Sequence, residues 1–337
     1  MNLFLQYLQV VNSVFPCIFM MCLGFFSAKI TNSDNYQHIT SLAQNIAIPV
    51  RIICILAFNS FSINDLKIIC ALVLTQLAGA MLVIPFLFVL NVQFKLKTFA
   101  AILSIIQINN CITGIPFFSG VYSGLPKYSY MQVLVNFGIC LPVINICFEY
   151  SLKNQRLIKI IGQQMLKTVC HPQIIAIVIG ILLNLIFNRF NIENLLFIEK
   201  LSDFCGDLVP PFGLMAIGML AHQQHVKKQE EKSQLVQYSC NRPKSKILNF
   251  IILQLMRHLA LPLVLIGLCK GFKINQLIVV EISVSIYSQP CQIVSYSLCN
   301  KYRRHSDGAL FDLIFGTLTV LLITPVLQYL CQILWRE

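Results

Sequence analysis

Arg51 and Arg257 each stand inside an apolar run, the first in "SLAQNIAIPVRIICIL" and the second directly before His258. A guanidinium at mid-depth in a bilayer costs about 2.5 kcal/mol or more, so each needs an anion. The candidate acids are Glu149, Asp203, Asp207, Glu281 and Asp312. Two chemistries fit. Either guanidinium can grip a substrate carboxylate through paired N–H donors, or it can form an internal ion pair that fixes helix packing. Asp203 and Asp207 are four residues apart and share a helix face. They can carry a coupling proton or cation beside Pro210 and Pro211, or serve as partners of the arginines. A metal-binding D-x-x-x-D pair, as in intramembrane prenyl-transfer enzymes, would need a second acidic cluster, and the sequence has none.

The second chemical stretch is "INNCITGIPF", residues 108–117, in the middle of an apolar run. It sets Asn109 and Asn110 before Gly114, Ile115 and Pro116. Far downstream "IYSQPCQIV" sets Ser288 and Gln289 before Pro290. A proline ends a helix and frees backbone carbonyls. Irregular backbone survives at membrane depth only where protein or a water-filled cavity satisfies it. The half-helices starting near Pro116 and Pro290 would aim N–H groups of partial positive charge at that cavity, which favours an anion. The asparagines, Ser288 and Gln289 add neutral hydrogen bonds.

The elements that position these residues follow from composition. Of 337 residues, 57% are hydrophobic and 11% charged, against about 25% charged in soluble domains. The mean hydropathy is +0.74. These values specify an all-α polytopic membrane protein. The net charge of +12 lies in short loops, so the positive-inside rule explains it and nucleic-acid binding is not expected. The fourteen cysteines form no C-x-x-C pair and fall mostly in apolar runs, which makes them packing residues. His222 and His225 form an H-x-x-H in a lysine-rich segment read as a solvated loop. No metal or cofactor site is expected.

Ten apolar segments are long enough to cross a bilayer at roughly 20 residues each: 5–28, 39–60, 67–91, 98–122, 128–149, 171–188, 195–220, 247–268, 274–299 and 308–333. The first resembles a signal peptide but lacks a basic leader, so it reads as a span. The two longest connections, 150–170 and 221–246, read as basic polar loops. His171-Pro172 opens the sixth span, where proline suits a first helical turn. Sixteen Lys and Arg fall on the side that receives the loop between spans five and six, and seven on the other. That bias puts the first side in the cytoplasm and both termini outside.

Pro49 in span two answers Pro210 and Pro211 in span seven, and the break of span four answers that of span nine. This is the pattern of a five-span unit used twice and inverted, with broken helices 4 and 9 crossing at a transporter site. Residues 1–150 form the first repeat, 151–170 a short cytoplasmic linker and 171–337 the second repeat.

These motifs resemble the auxin efflux carrier family, whose wider relatives are the bile acid–sodium symporters. The family's N-x-G-x-x-G-x-P is similar to Asn109-Asn110-Cys111-Ile112-Thr113-Gly114-Ile115-Pro116, with Cys111 in place of the first glycine. "PFGLMAIGMLA" from Pro211 to Ala221, the break at Pro290, "LCNKY" from Leu298 to Tyr302, and Thr317 with Pro325 match in order. Arg51 departs from the small or apolar residue usual there. The resemblance implies a central site at the crossing, built from Asn109, Asn110, Gly114 and Pro116 on one side and Gln289 and Pro290 on the other. It also suggests a homodimer. The short linker looks like a bacterial form in the inner membrane, and auxin itself is not implied.

The expectation is a secondary transporter of a small organic anion, a carboxylate by preference, working by alternating access. With no Walker A motif in the sequence, the driving force is a proton or sodium gradient or the membrane potential. The alternative is an intramembrane enzyme acting on lipid or prenyl substrates, which would need acids clustered at one depth. A third class is a sensor or scaffold indifferent to the helix breakers.

Overall fold

The computed structural model describes residues 3–30, 36–59, 62–89, 95–107, 127–152, 156–190, 192, 195–234, 251–287, 289, 291, 293–302 and 306–335. All regular elements among them are helices: α1 (Leu3–Ser27), α2 (36–58), α3 (Ile63–Val89), α4 (Leu96–Ile106), α5 (127–152), α6 (Leu157–Val169), α7 (Pro172–Arg189), α8 (Leu196–Gln234), α9 (251–271), α10 (Leu277–Tyr287), α11 (Ile293–Lys301) and α12 (Ser306–Leu334). In an apolar solvent a helix is the element that satisfies its own backbone within one segment. Among the described residues, eight helices are long and apolar enough to cross a membrane: parts of α1, α2, α3, α5, α7, α8, α9 and α12. The protein is an integral membrane protein of several spans. The expected fourth span is described only through α4 and Gln107. The expected ninth is two shorter helices, α10 and α11, separated by residues 288–292.

The prolines act differently from one another. α2, α5 and α9 each contain one wide π turn, Ala43–Ala47, Asn136–Cys140 and Met256–Ala260. Each turn lies just before a proline: Pro49, Pro142 and Pro262. A helical proline leaves the carbonyl four residues earlier without its donor and pushes against it. Those carbonyls belong to Asn45, Gly138 and His258, the middle residue of each wide turn. Widening the turn absorbs the clash without ending the helix. Pro210 and Pro211 lie inside α8 with no interruption. The expected break in span seven is therefore absent.

Two further expectations are corrected. The linker contains the helix α6 rather than a loop. The segment after span seven is also helical as far as Gln234, which places His222 and His225 on one helical face at i, i+3. Their rings lie 5.2 Å and 6.4 Å from the Phe25 ring of α1. His171 precedes α7 and Pro172 occupies its first turn, as expected.

The helices sort into two packed groups. In one, α1 runs along α8, α7 runs along α2, and α2 contacts α8. In the other, α3 packs on α9, α4 on α5 and α11, and α10 and α11 on α12. The main seam between the groups is α1 against α12. Small residues let the α1 and α8 backbones meet. A Cβ on Gly24 would stand 2.1 Å from the Met215 carbonyl oxygen, and one on Gly218 would stand 1.9 Å from that of Met21. Neither obstacle is a side chain that can turn away. Overpacking of this kind costs about 1–3 kcal/mol, occasionally more. Gly218→Leu should therefore lower the melting temperature of the detergent-solubilised protein sharply. Gly162→Ala, with nothing within 4 Å of its added carbon, should leave it nearly unchanged. Equal melting of the two variants would contradict this packing of α1 on α8.

Candidate functional site

The chemistry gathers at the interruption between α10 and α11. Tyr287 ends α10 and Ile293 starts α11. Of the residues between, Gln289 and Cys291 are described, and both are buried. A broken helix leaves an acceptor and a donor without intrahelical partners. Here Arg257 donates from Nη2 to the Gln289 carbonyl. The Cys291 N–H donates to Asp312 Oδ2 over 2.8 Å. Arg257 Nη1 closes the circuit by donating to the same carboxylate oxygen. One ion pair thus serves both sides of the break.

Sequence places the pair there for local reasons. Arg257 and His258 lie in the wide turn of α9 ahead of Pro262. Such turns recur at functional sites. Asp312 lies near the start of α12, which packs on both α10 and α11. The side chains of Arg257, His258 and Asp312 are 0% exposed. Gln254, one turn before His258, donates to Asp312 Oδ1. His258 Nε2 is 3.9 Å from that oxygen and 3.3 Å from the Thr319 hydroxyl. Cys291 Sγ contacts the Ala309 carbonyl at 3.2 Å. The anion beside the start of α11 is therefore the protein's own Asp312, where aligned N–H groups favour negative charge.

Gln289 folds back toward the Ser285 carbonyl, 3.4 Å from its side-chain amide. α4 reaches the site from the other side. Ser295 of α11 donates to the Ser104 carbonyl at 2.5 Å, and the Ser104 hydroxyl is 3.3 Å from Cys299 Sγ. Gln107, buried at the end of α4, points the chain toward residue 108. Asn109, Asn110, Gly114, Ile115, Pro116, Ser288 and Pro290 lie outside the described residues.

A second buried polar group is neutral. Tyr287 is fully buried and donates to the Leu72 carbonyl over 3.1 Å. Thr75 and Gln76 of α3 and Gln132 of α5 surround its hydroxyl. Gln132 donates to Asn136 Oδ1 at 2.9 Å, and Asn136 opens the wide turn of α5. The sequence reading passed over Gln76, Gln132, Asn136, Gln254 and Tyr287. The available signal was a polar side chain in an apolar span, in the case of Asn136 two residues from the one four before a proline.

Arg51 is held differently. Its Nη1 donates to the Ser202 carbonyl at 2.5 Å and to Asp203 Oδ1 at 3.0 Å. The guanidinium lies over Gly206, where a Cβ would come within 2.4 Å of it. Asp203 is 65% exposed, so the pair sits at a rim and contributes little. Asp207 is exposed one turn further along α8. Both arginines thus have protein carboxylates as partners, and the structure separates the two pairs into different helix groups.

Removing one member of a buried pair strands the other charge, which costs about 3–5 kcal/mol. Arg257→Met and Asp312→Leu should each destabilise the protein by that order. The double variant should lose much less than the sum, because no charge is then stranded. Denaturant unfolding of the four proteins in detergent measures the coupling. Additive losses would show that the pair contributes no coupling across the break.

A family model described as membrane transport protein matches residues 9–328. No curated protein matches the chain. The match runs across both helix groups and the α10–α11 interruption, so the chain belongs to the membrane transport protein family, the auxin efflux carrier family.

Proposed function

We propose that the protein is a secondary transporter of a small organic anion, a carboxylate by preference, moved by alternating access. The observation that carries this reading is the interruption between α10 and α11, lined by buried polar groups and pinned by Arg257 and Asp312. A packed scaffold has no need of such a break. A transporter uses one where the substrate must meet backbone. The pairing of α1 with α8 and of α7 with α2 supports reading the ten expected spans as two inverted five-helix repeats, 1–150 and 171–337. The contact of α4 with α11 supports a crossing of helices 4 and 9. The two helix groups, joined chiefly along α1 and α12, supply the parts that move.

Asp312 already occupies the start of α11. The N–H groups left for a substrate anion are those expected near Pro116, with Asn109, Asn110, Gly114 and Ile115 beside them and Ser288, Gln289 and Pro290 opposite. In this reading Arg257 holds the site's shape and Arg51 braces α2 on α8. Asp207, exposed on α8, is the candidate coupling group, and Asp203 serves Arg51. The membrane is a bacterial inner membrane with both termini outside, and the assembly is a homodimer. The family and the break both disfavour the enzyme alternative.

Thermal stabilisation of the purified protein by mono- and dicarboxylates tests the reading. A ligand at 100 times its dissociation constant adds about 2.7 kcal/mol. One acid should raise the melting temperature, Asn110→Ala and Gln289→Ala should lose the shift, and Arg51→Gln should keep it. Stabilisation by neutral or cationic solutes alone would exclude the anion.

A further inference from the structure

α6 has a surface that the transport cycle does not explain. It follows α5 and precedes α7, and its 13 residues extend about 20 Å at 1.5 Å per residue. One face is buried against the protein through Ile160 and Gln164. The Lys167 ammonium is 3.6 Å from the nearly buried Glu149 carboxylate of α5. At 3.6 residues per turn the side chains away from that face divide into two arcs. Ile158, Ile161, Met165, Leu166 and Val169 fill one arc and are all exposed, Ile158 by 83% and Leu166 by 67%. Lys159 and Lys167 edge the other arc, with Arg156 at the helix start, and all three are exposed. An apolar arc this wide facing water would be a liability. α6 is also too short to cross a bilayer.

We propose that α6 lies in the membrane interface and binds anionic phospholipid. Its apolar arc enters the acyl-chain boundary, and Arg156, Lys159 and Lys167 hold phosphate headgroups along its edge. The charge complementarity is direct: the apolar arc is bordered by cations, and no acid lies within α6. Amphipathic helices with this division of faces bind in the interface plane, and basic residues beside the surface draw in anionic lipid. The contact between Lys167 and Glu149 ties the anchored helix to α5. The helix that connects the two packed groups is thereby fixed to the leaflet.

The chain has a single tryptophan, Trp335, so Ile158→Trp adds one reporter at an exposed site where folding is not at stake. The full-length variant is reconstituted in phosphatidylcholine vesicles containing a minority of phosphatidylglycerol. Either one lipid or the other carries brominated acyl chains, and the wild-type signal is the baseline. The added emission should be quenched by bromine and shielded from aqueous iodide, and brominated phosphatidylglycerol should quench it more than the same fraction of brominated phosphatidylcholine. Arg156→Gln with Lys159→Gln should erase that preference. Quenching by iodide alone would overturn the membrane placement. Equal quenching by the two brominated lipids would overturn the anionic assignment, and a preference that survives the double glutamine variant would overturn the role of the basic residues.

Discussion

Between α10 and α11 one ion pair takes two backbone groups that lie outside both helices. Arg257 takes the carbonyl of Gln289 and Asp312 takes the N–H of Cys291, while the two side chains neutralise each other. Neither charge could be buried alone at such depth, since desolvation of an isolated ion costs far more than a single hydrogen bond returns. The break and the pair are therefore one unit. Four elements are committed by it: α9 supplies the arginine, α12 the aspartate, and the ends of α10 and α11 the backbone.

The wide turn in α9 belongs to the same logic. Pro262 displaces the His258 carbonyl, the turn expands, and Arg257 and His258 are turned inward at the level of Asp312. The corresponding turn in α5, ahead of Pro142, carries Asn136 toward the neutral group around Tyr287. The two polar clusters differ in charge yet share a construction, a polar residue in a proline-widened turn packed against an interrupted span. In contrast, Pro210 and Pro211 pass through α8 without consequence for its continuity. A proline's effect depends on whether the neighbouring turn can widen and on what packs against it.

Close packing divides the rest. Where α1 meets α8, Gly24 and Gly218 let backbone touch backbone, and the contact has no side chain that could rotate to ease relative sliding. The group built on α3, α4, α5 and α9–α12 instead joins through polar side chains such as Ser104, Ser295 and Tyr287. Gln224 of α8 reaches the Tyr296 hydroxyl of α11 across the seam.

Much of this was legible in the residues. Hydropathy dictates spans because a bilayer admits little else, and the family motifs stand at recognisable positions. The sequence reading expected a break at Pro290, and Pro290 lies outside the described residues, while Gln289 and Cys291 on either side of it are not helical. Asp203 and Asp312 were among five acids that could partner the arginines, and nothing in the spacing could choose between them. The linker's helix was hidden by its lysines, which read as loop until the apolar residues are counted on one arc.

By itself the sequence determined an all-helical membrane protein and the need of Arg51 and Arg257 for counter-charges. Those follow from local chemistry: side-chain transfer energies act wherever the residue sits. Only the tertiary structure decided that Arg257 takes Asp312 from 55 positions away while Arg51 takes Asp203. It also decided that Asp312 accepts the Cys291 N–H ahead of α11, and that α8 continues through Pro211. Pairing between distant spans depends on which helices pack together and at what depth, and those are properties of the assembled bundle.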